Sequence, residues 1–353
     1  MNLSRRKLLK LSGGILAAAP FVRIATPAYA QTADPLSPLI HPLGRAFIRG
    51  NILEKPEPKA RVISSFKAGE LIELAGQIVG VGPTSYNPIW YETQDGGYVH
   101  SALVLPCDDV LNKPVETIGG GGAWGEITVP IASGRAAANP EAGQRFPAYY
   151  GLIVKIIAVH EGTDKNLWYE MKEDKWSINK APSFFLSEQV RVVPPEEFDM
   201  LSPNIPVAKH IEVNLKKQEA VAFEDGVAVK TFRIASGMGG YSTPVGEHCI
   251  YVKTPGQRMA GGTSDDNSAY NLPAIPWISY FTPVGHAFHG TYWHNDYGRP
   301  RSHGCANVSS DDAKWIFRWS HPIVDYFSED GFSTVTSKAD RTTQGTRVIV
   351  TAG

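Results

Sequence analysis

The chain has 353 residues, with 34 Lys and Arg against 35 Asp and Glu, and 42% of it is hydrophobic. Without the five basic residues of 1–30 the balance is acidic, 29 against 35, which argues against nucleic acid as a natural partner, since phosphate binding needs a concentrated positive face. The length predicts two or three domains, and no segment after the N-terminus is apolar for long enough to span a bilayer.

The N-terminus reads as an address. Ser4-Arg5-Arg6-Lys7-Leu8-Leu9-Lys10 puts paired arginines ahead of a short apolar stretch, Leu11 to Ile24, followed by the small-residue pattern Ala28-Tyr29-Ala30. The arrangement resembles a twin-arginine (Tat) signal peptide over residues 1–30, cleaved after Ala30. The rival is an uncleaved anchor, for which the apolar run is too short. Cleavage removes five basic residues and no acids, leaving 29 basic against 35 acidic. The expectation is an exported protein of the periplasm or cell wall with no stable membrane span.

Residues 31–43 are Pro-rich and polar and read as a linker. Residues 44–107 carry short β-type runs broken by turn residues: 46–48, 61–63, 71–74, 77–79, 89–91 and 98–100. Their order resembles bacterial SH3-like small barrels, with Trp90 and Tyr98 as core aromatics. A Gly-rich linker, 108–122, contains Gly119 to Gly122. Residues 123–195 then echo the plan, Trp168-Tyr169-Glu170 matching Trp90-Tyr91-Glu92, and predict a second SH3-like domain; a single elongated β domain is the rival. Residues 196–207, with Pro203 and Pro206, form the next linker.

From residue 208 to 353 the pattern is that of a sheet-rich domain. Ile211 to Leu215 alternates with period two, and Glu224-Asp225-Gly226 between two apolar runs signals a hairpin. One helix is expected late, with Ser310 as N-cap, Asp311 and Asp312 in its first turn, and His321-Pro322 as its stop. The fold class expected for the whole chain is mainly β.

Three cysteines, an odd number, leave at least one thiol unpaired in an exported chain. Cys107 and Cys249 are available to pair; Cys249 reads equally as a small buried hydrophobe. Cys305 has different neighbours. Residues 289–308 read HGTYWHNDYGRPRSHGCANV, holding His289, His294, His303 and Cys305. One chemical reading is a thiol nucleophile: a free thiol is mostly protonated at neutral pH and needs an imidazole to activate it. His289 is far enough upstream for the chain to bring it back to the thiol. Gly304 lets the backbone bend beside Cys305 and aim N–H groups at an oxyanion. The other reading is zinc, but only His289 and His294 have a ligand-pair spacing, and no companion Cys pair exists.

The run SHGCANV at Ser302 to Val308, preceded by HGT at His289, resembles the signature of L,D-transpeptidase (YkuD-like) catalytic domains. STPVGEH at Ser242 to His248 and IPWISYF at Ile275 to Phe281 are similar to further elements of that family. The resemblance implies that Cys305 is the acylated nucleophile and His289 its base, oriented by the carbonyl of Gly290. It implies that His303 supports the loop and that N–H groups around Gly304 and Cys305 form an oxyanion hole. Ser302 and Asn307 would brace the loop or touch substrate, and Tyr270 would cover the oxyanion site. Tyr292, Trp293 and His294 read as lid, wall or exposed residues. The implied reaction is cross-linking of peptidoglycan stem peptides without cofactor or metal. Hydrolysis at the same site, as an L,D-carboxypeptidase, and a wall-binding adaptor with an inactive third domain are the alternatives. The SH3-like domains would contact glycan or peptide.

Overall fold

Strands dominate because β-branched and aromatic residues recur in short runs between turn residues. The structure, a computed structural model, describes residues 41–83, 86–172, 181–202, 208–262, 269–324, 326, 333–334 and 345–353. The signal reading at 1–30, the linker up to residue 40 and residues 203–207 of the last linker lie outside the described residues.

The first unit comprises β1 (Leu43–Ala46), β2 (Gly50–Leu53), β3 (Val62–Phe66), β4 (Leu71–Val79), β5 (Ile89–Thr93), β6 (Tyr98–His100) and β7 (Val104–Cys107). The second comprises β8 (Ala123–Ile127), β9 (Ile131–Arg135), β10 (Gln144–Tyr149), β11 (Ile153–Glu161), β12 (Leu167–Met171), β13 (Ser183–Leu186) and β14 (Val190–Val192). Their strand orders are β3-β2-β6-β5-β4-β1-β7 and β10-β9-β13-β12-β11-β8-β14, the same order shifted by seven strands. Trp90-Tyr91 and Trp168-Tyr169 occupy corresponding strands with the same burial pattern. Two runs expected as separate strands, 71–74 and 77–79, are one strand, β4, whose register shifts between Leu74 and Gly76. β1 stops at Ala46, leaving Ile48 exposed.

The third unit holds two five-stranded sheets. One combines β15 (Lys209–Asn214), β16 (Glu219–Glu224), β17 (Val227–Arg233), β18 (Gly246–Cys249) and β24 (Arg347–Thr351). The other combines β19 (Val252–Gly261), β20 (Tyr270–Tyr280), β21 (Ala287–Gly290), β22 (Ala306–Val308) and β23 (Ser333–Thr334). Asp225 and Gly226 both take positive φ between β16 and β17, as a tight hairpin turn requires. The fold is mainly β, with α1 (Ser310–Trp319) the one α-helix among the described residues.

Ser309, not Ser310, caps α1: its side chain accepts from the Asp312 N–H. Ala313, Ile316, Phe317 and Trp319 face inward. Two lysines finish the other end. Buried Lys253 donates to the carbonyls of Phe317 at 2.7 Å and Ser320 at 2.6 Å, and Lys209 to that of Trp319 at 3.0 Å. Cations there satisfy orphan carbonyls and complement the helix dipole. Burial, with Lys209 nearby, pulls the Lys253 ammonium down to about 7.

The second unit is packed into the third. Trp124, Ile153, Val193 and Phe198 share one core with Ile211, Trp277, Phe288, Ile316 and Phe317. Val154, Ile156 and Tyr169 share another with Ala274, Ile275 and Ile278. Trp124 Nε1 donates to the carbonyl of Tyr326 at 2.7 Å. The first unit keeps its own core of Ala46, Phe66, Ile72, Leu74, Tyr91, Val99 and Val104. No disulfide joins Cys107 to Cys249: Cys107 is fully buried in the first unit and Cys249 lies on β18 of the third.

Candidate active site

β21 and β22 are parallel neighbours, with His289 opposite Asn307 and Gly290 opposite Val308. Alternation then puts Cys305, two residues before Asn307, on the same side as His289. The segment 291–305 that joins them closes on itself just before Cys305. Gly304 has φ +107°, and a Cβ there would lie 2.5 Å from the His286 ring, so only glycine fits. Ser302 Oγ donates to the carbonyl of Cys305 at 2.6 Å and accepts the Gly304 N–H at 3.0 Å. Thr243 Oγ1 donates to the carbonyl of Gly304 at 2.9 Å and accepts the Gly237 N–H at 2.9 Å. The Ser242–His248 segment thus holds the loop from the other side.

Cys305 keeps a partly exposed edge, while the protein packed around it pushes the thiol up to about 11, against a contact with the Ala287 backbone that favours the thiolate. Its Sγ lies 3.7 Å from the carbonyl of Gly285. Tyr270 is close enough for thiolate charge to add to the burial that raises its phenol. The His303 ring packs between Tyr241, 4.6 Å away, and Tyr270, 4.8 Å away.

His289 is 3% exposed and has both ring nitrogens engaged. Nδ1 lies 2.9 Å from the carbonyl of Gly290 and Nε2 lies 2.9 Å from Asn307 Nδ2. A carbonyl only accepts, so Nδ1 carries the proton and Nε2 takes the amide hydrogen of Asn307. Burial lowers the imidazole to about 4, partly offset by the Gly290 carbonyl. The resting pair is therefore a neutral thiol and a neutral imidazole.

Of the site residues expected from sequence, His289, Gly290 and Asn307 lie in the β21–β22 ladder with Cys305 just ahead of β22, Ser302 and Gly304 form the turn beside it, and the His303 ring packs at a tilt against Tyr270. The Gly304 N–H, expected to face an oxyanion, is taken by Ser302 Oγ in this state. Tyr292 and His294 are buried at 4% and 3% exposure, so surface exposure is not their state. Among the described residues, no group of three or more His, Cys, Asp or Glu is placed to hold a metal ion.

Sequence reasoning missed His286, whose Nδ1 meets Thr282 Oγ1 at 2.8 Å while its ring covers Gly304. It also missed that the first unit holds the 291–301 loop. Arg45 Nη2 donates to the carbonyl of Tyr292 at 2.5 Å, and Asn295 Nδ2 donates to Tyr91 Oη at 2.9 Å. Asn87 Nδ2 donates to Asp296 Oδ1 at 3.0 Å. Asp296 also pairs with Arg299 and Arg301 at 2.7 and 2.8 Å. Burial works to raise the Asp296 carboxyl, but Asn87 and these two arginines hold it below its ordinary value. None of these partners forms a spacing motif; only the polar run after His289 hinted that the loop has work to do.

Residues 208–350 match the family model of the L,D-transpeptidase catalytic domain, YkuD. No curated protein matches the chain. Among solved structures, an Enterococcus faecium L,D-transpeptidase is 22% identical, with 41% of this chain and 50% of that one covered and a TM-score of 0.31. The catalytic domain of an E. faecium L,D-transpeptidase is 25% identical, covering 40% and 96%, with a TM-score of 0.31. An L,D-transpeptidase from Mycobacterium smegmatis is 16% identical, covering 53% and 90%, with a TM-score of 0.33. The chain spans about half the length of the first structures it matches.

Proposed function

We propose that this protein, whose residues 208–350 are an L,D-transpeptidase catalytic domain, cross-links peptidoglycan stem peptides with Cys305 as nucleophile and His289 as base. The observation that carries this reading is the β21–β22 ladder, whose register and alternation put the partly exposed thiol and a buried, neutral imidazole on one side of adjacent chain segments. In the first step Cys305 Sγ attacks the carbonyl carbon of the third stem residue. Its proton passes to His289 Nε2, which leaves Asn307 to receive it. The C–N bond to the terminal D-alanine breaks, His289 returns the proton to the departing amine, and a thioester remains. An acceptor amine then attacks the thioester and loses its proton through His289, and the thiol re-forms.

The Ala287 backbone contact at Sγ supports a developing thiolate. Tyr270, close to the thiol, and His303, packed against its ring, form the wall that covers the oxyanion. The shared strand order of the two N-terminal units supports reading them as two copies of one SH3-like plan, and the paired arginines with Ala28-Tyr29-Ala30 support export. The test is mass spectrometry of products from a purified tetrapeptide stem. A dimer linked between third-position residues is expected, and its loss with Cys305→Ala; tripeptide alone would make the enzyme a carboxypeptidase. A carbapenem is expected to add a covalent mass to the native protein and none to Cys305→Ala.

A further inference from the structure

His294 lies eleven residues before Cys305 on the loop that the mechanism above does not use. It is 3% exposed, and both its nitrogens are engaged. The Asp296 N–H meets Nδ1 at 3.3 Å, and Nε2 meets Asn307 Oδ1 at 3.3 Å. Its backbone carbonyl accepts from Thr291 Oγ1 at 2.9 Å, whose hydroxyl also meets Tyr297 Oη at 2.7 Å.

The direction of every bond along this path follows from the backbone groups at its ends. A backbone N–H can only donate, so His294 Nδ1 accepts from Asp296 and the ring proton sits on Nε2. That proton needs an acceptor, which makes the facing atom of Asn307 its oxygen and turns the NH₂ toward His289. His289 Nε2 then accepts, and its own proton sits on Nδ1, facing the carbonyl of Gly290 at the far end. Both ends agree on one arrangement. Reversing the Asn307 amide would bring its NH₂ against the protonated Nε2 of His294 and its carbonyl against the unprotonated Nε2 of His289. Burial lowers His294 to about 4, which keeps it neutral and preserves the single direction.

We propose that His294 is a positioning residue: it fixes the orientation of the Asn307 amide and thereby keeps His289 Nε2 unprotonated. Asp296 anchors it, and Asn87 of the first unit anchors Asp296. The N-terminal unit thus reaches the base through hydrogen bonds joined by Asp296, whose side chain accepts from Asn87 and whose backbone N–H donates to His294. This rests on His289 being the base, but the tautomer itself is measured without any reaction.

The experiment uses the full chain with ¹⁵N-labelled histidine and long-range ¹⁵N–¹H correlation spectra, beside steady-state kinetics on the tetrapeptide stem. In the native protein His289 is expected as the Nδ1–H form and His294 as the Nε2–H form. In His294→Phe the released amide reverses in part, the Nε2–H form of His289 appears, and kcat falls about tenfold with KM within about twofold. His294→Gln, which restores a donor toward Asn307, recovers most of the loss while keeping the fold. A His294→Phe protein with native spectra whose His289 stays wholly Nδ1–H would overturn the proposal, as would a loss carried by KM. If His294→Phe does not fold, His294→Gln decides: a native-like His289 tautomer upholds the proposal, and a mixed one overturns it. Activity surviving Cys305→Ala would instead remove the functional reading and leave the tautomer result standing.

Discussion

Asn87 and Asp296, 209 residues apart in sequence, meet in a buried hydrogen bond of 3.0 Å that ties the first unit to the loop between His289 and Cys305. Asn87 is itself held: its backbone carbonyl meets His100 Nε2 at 2.9 Å and its side-chain oxygen accepts from Ser101 Oγ at 3.2 Å. The loop is therefore shaped from outside the catalytic unit. Asn87→Ala is expected to lower stability by about 1–3 kcal/mol, because a buried carboxylate loses a donor. The β-lactam acylation rate should fall with it. Urea unfolding and time-resolved mass spectrometry read the two effects separately, and an unchanged unfolding midpoint would show the bond to be dispensable.

Asn307→Asp changes what His289 faces. A carboxylate at that position favours the imidazolium, and an opposite charge at such range raises a histidine by about 1–3 pH units. Native His289, at about 4, is unprotonated across the neutral range. The acid limb of kcat/KM should accordingly sit near pH 4 in the native enzyme and move toward neutrality in the variant. A pH–rate profile that does not move would separate Asn307 from the base.

Gly304→Ala places a Cβ at positive φ and against the His286 ring. Backbone strain alone is worth about 1–3 kcal/mol, and the clash adds to it. Thermal melting should show the loss of stability, and covalent labelling of Cys305 by a β-lactam should slow by more than about tenfold.

Acid should weaken the fold through His289 and His294. Both are held near 4 when folded by burial and return to about 6.5 when unfolded. The unfolded chain binds more protons between those values, so the stability these two groups contribute is intact above pH 6.5, declines as pH falls toward 4, and levels off below it. Each is worth up to roughly 3 kcal/mol. Urea unfolding at pH 7 and pH 4.5 measures the slope, which His294→Phe should reduce.

Residues 208–353 alone should be less stable than the same residues with the second unit attached. Trp277, Ile275 and Ile278 are fully buried partly by Trp124, Ile153 and Val154 of the second unit. Each large side chain returned to water loses about 1.5–3 kcal/mol. A fragment of residues 123–353 should melt cooperatively at higher temperature than one of residues 208–353. Equal melting temperatures would show the shared cores to be incidental.

Local chemistry was readable in the chain from the start. Period-two alternation marked β15, Glu224-Asp225-Gly226 marked a hairpin, and Ser302 to Asn307 marked a bent loop around Cys305, because these features depend on residues a few positions apart. The helix after Cys305 was also legible, with its cap displaced by one serine. What only the tertiary structure decided is who touches His289. His289 meets Asn307, His294 turns that amide, and Asn87 reaches Asp296 from another unit, through contacts made when strands far apart in sequence are packed side by side. The same holds for Cys107 and Cys249, which lie in separate units and form no disulfide. A single residue's type fixes what it can donate or accept; the fold alone decides which partner receives it, because that choice is made by long-range packing and not by spacing along the chain.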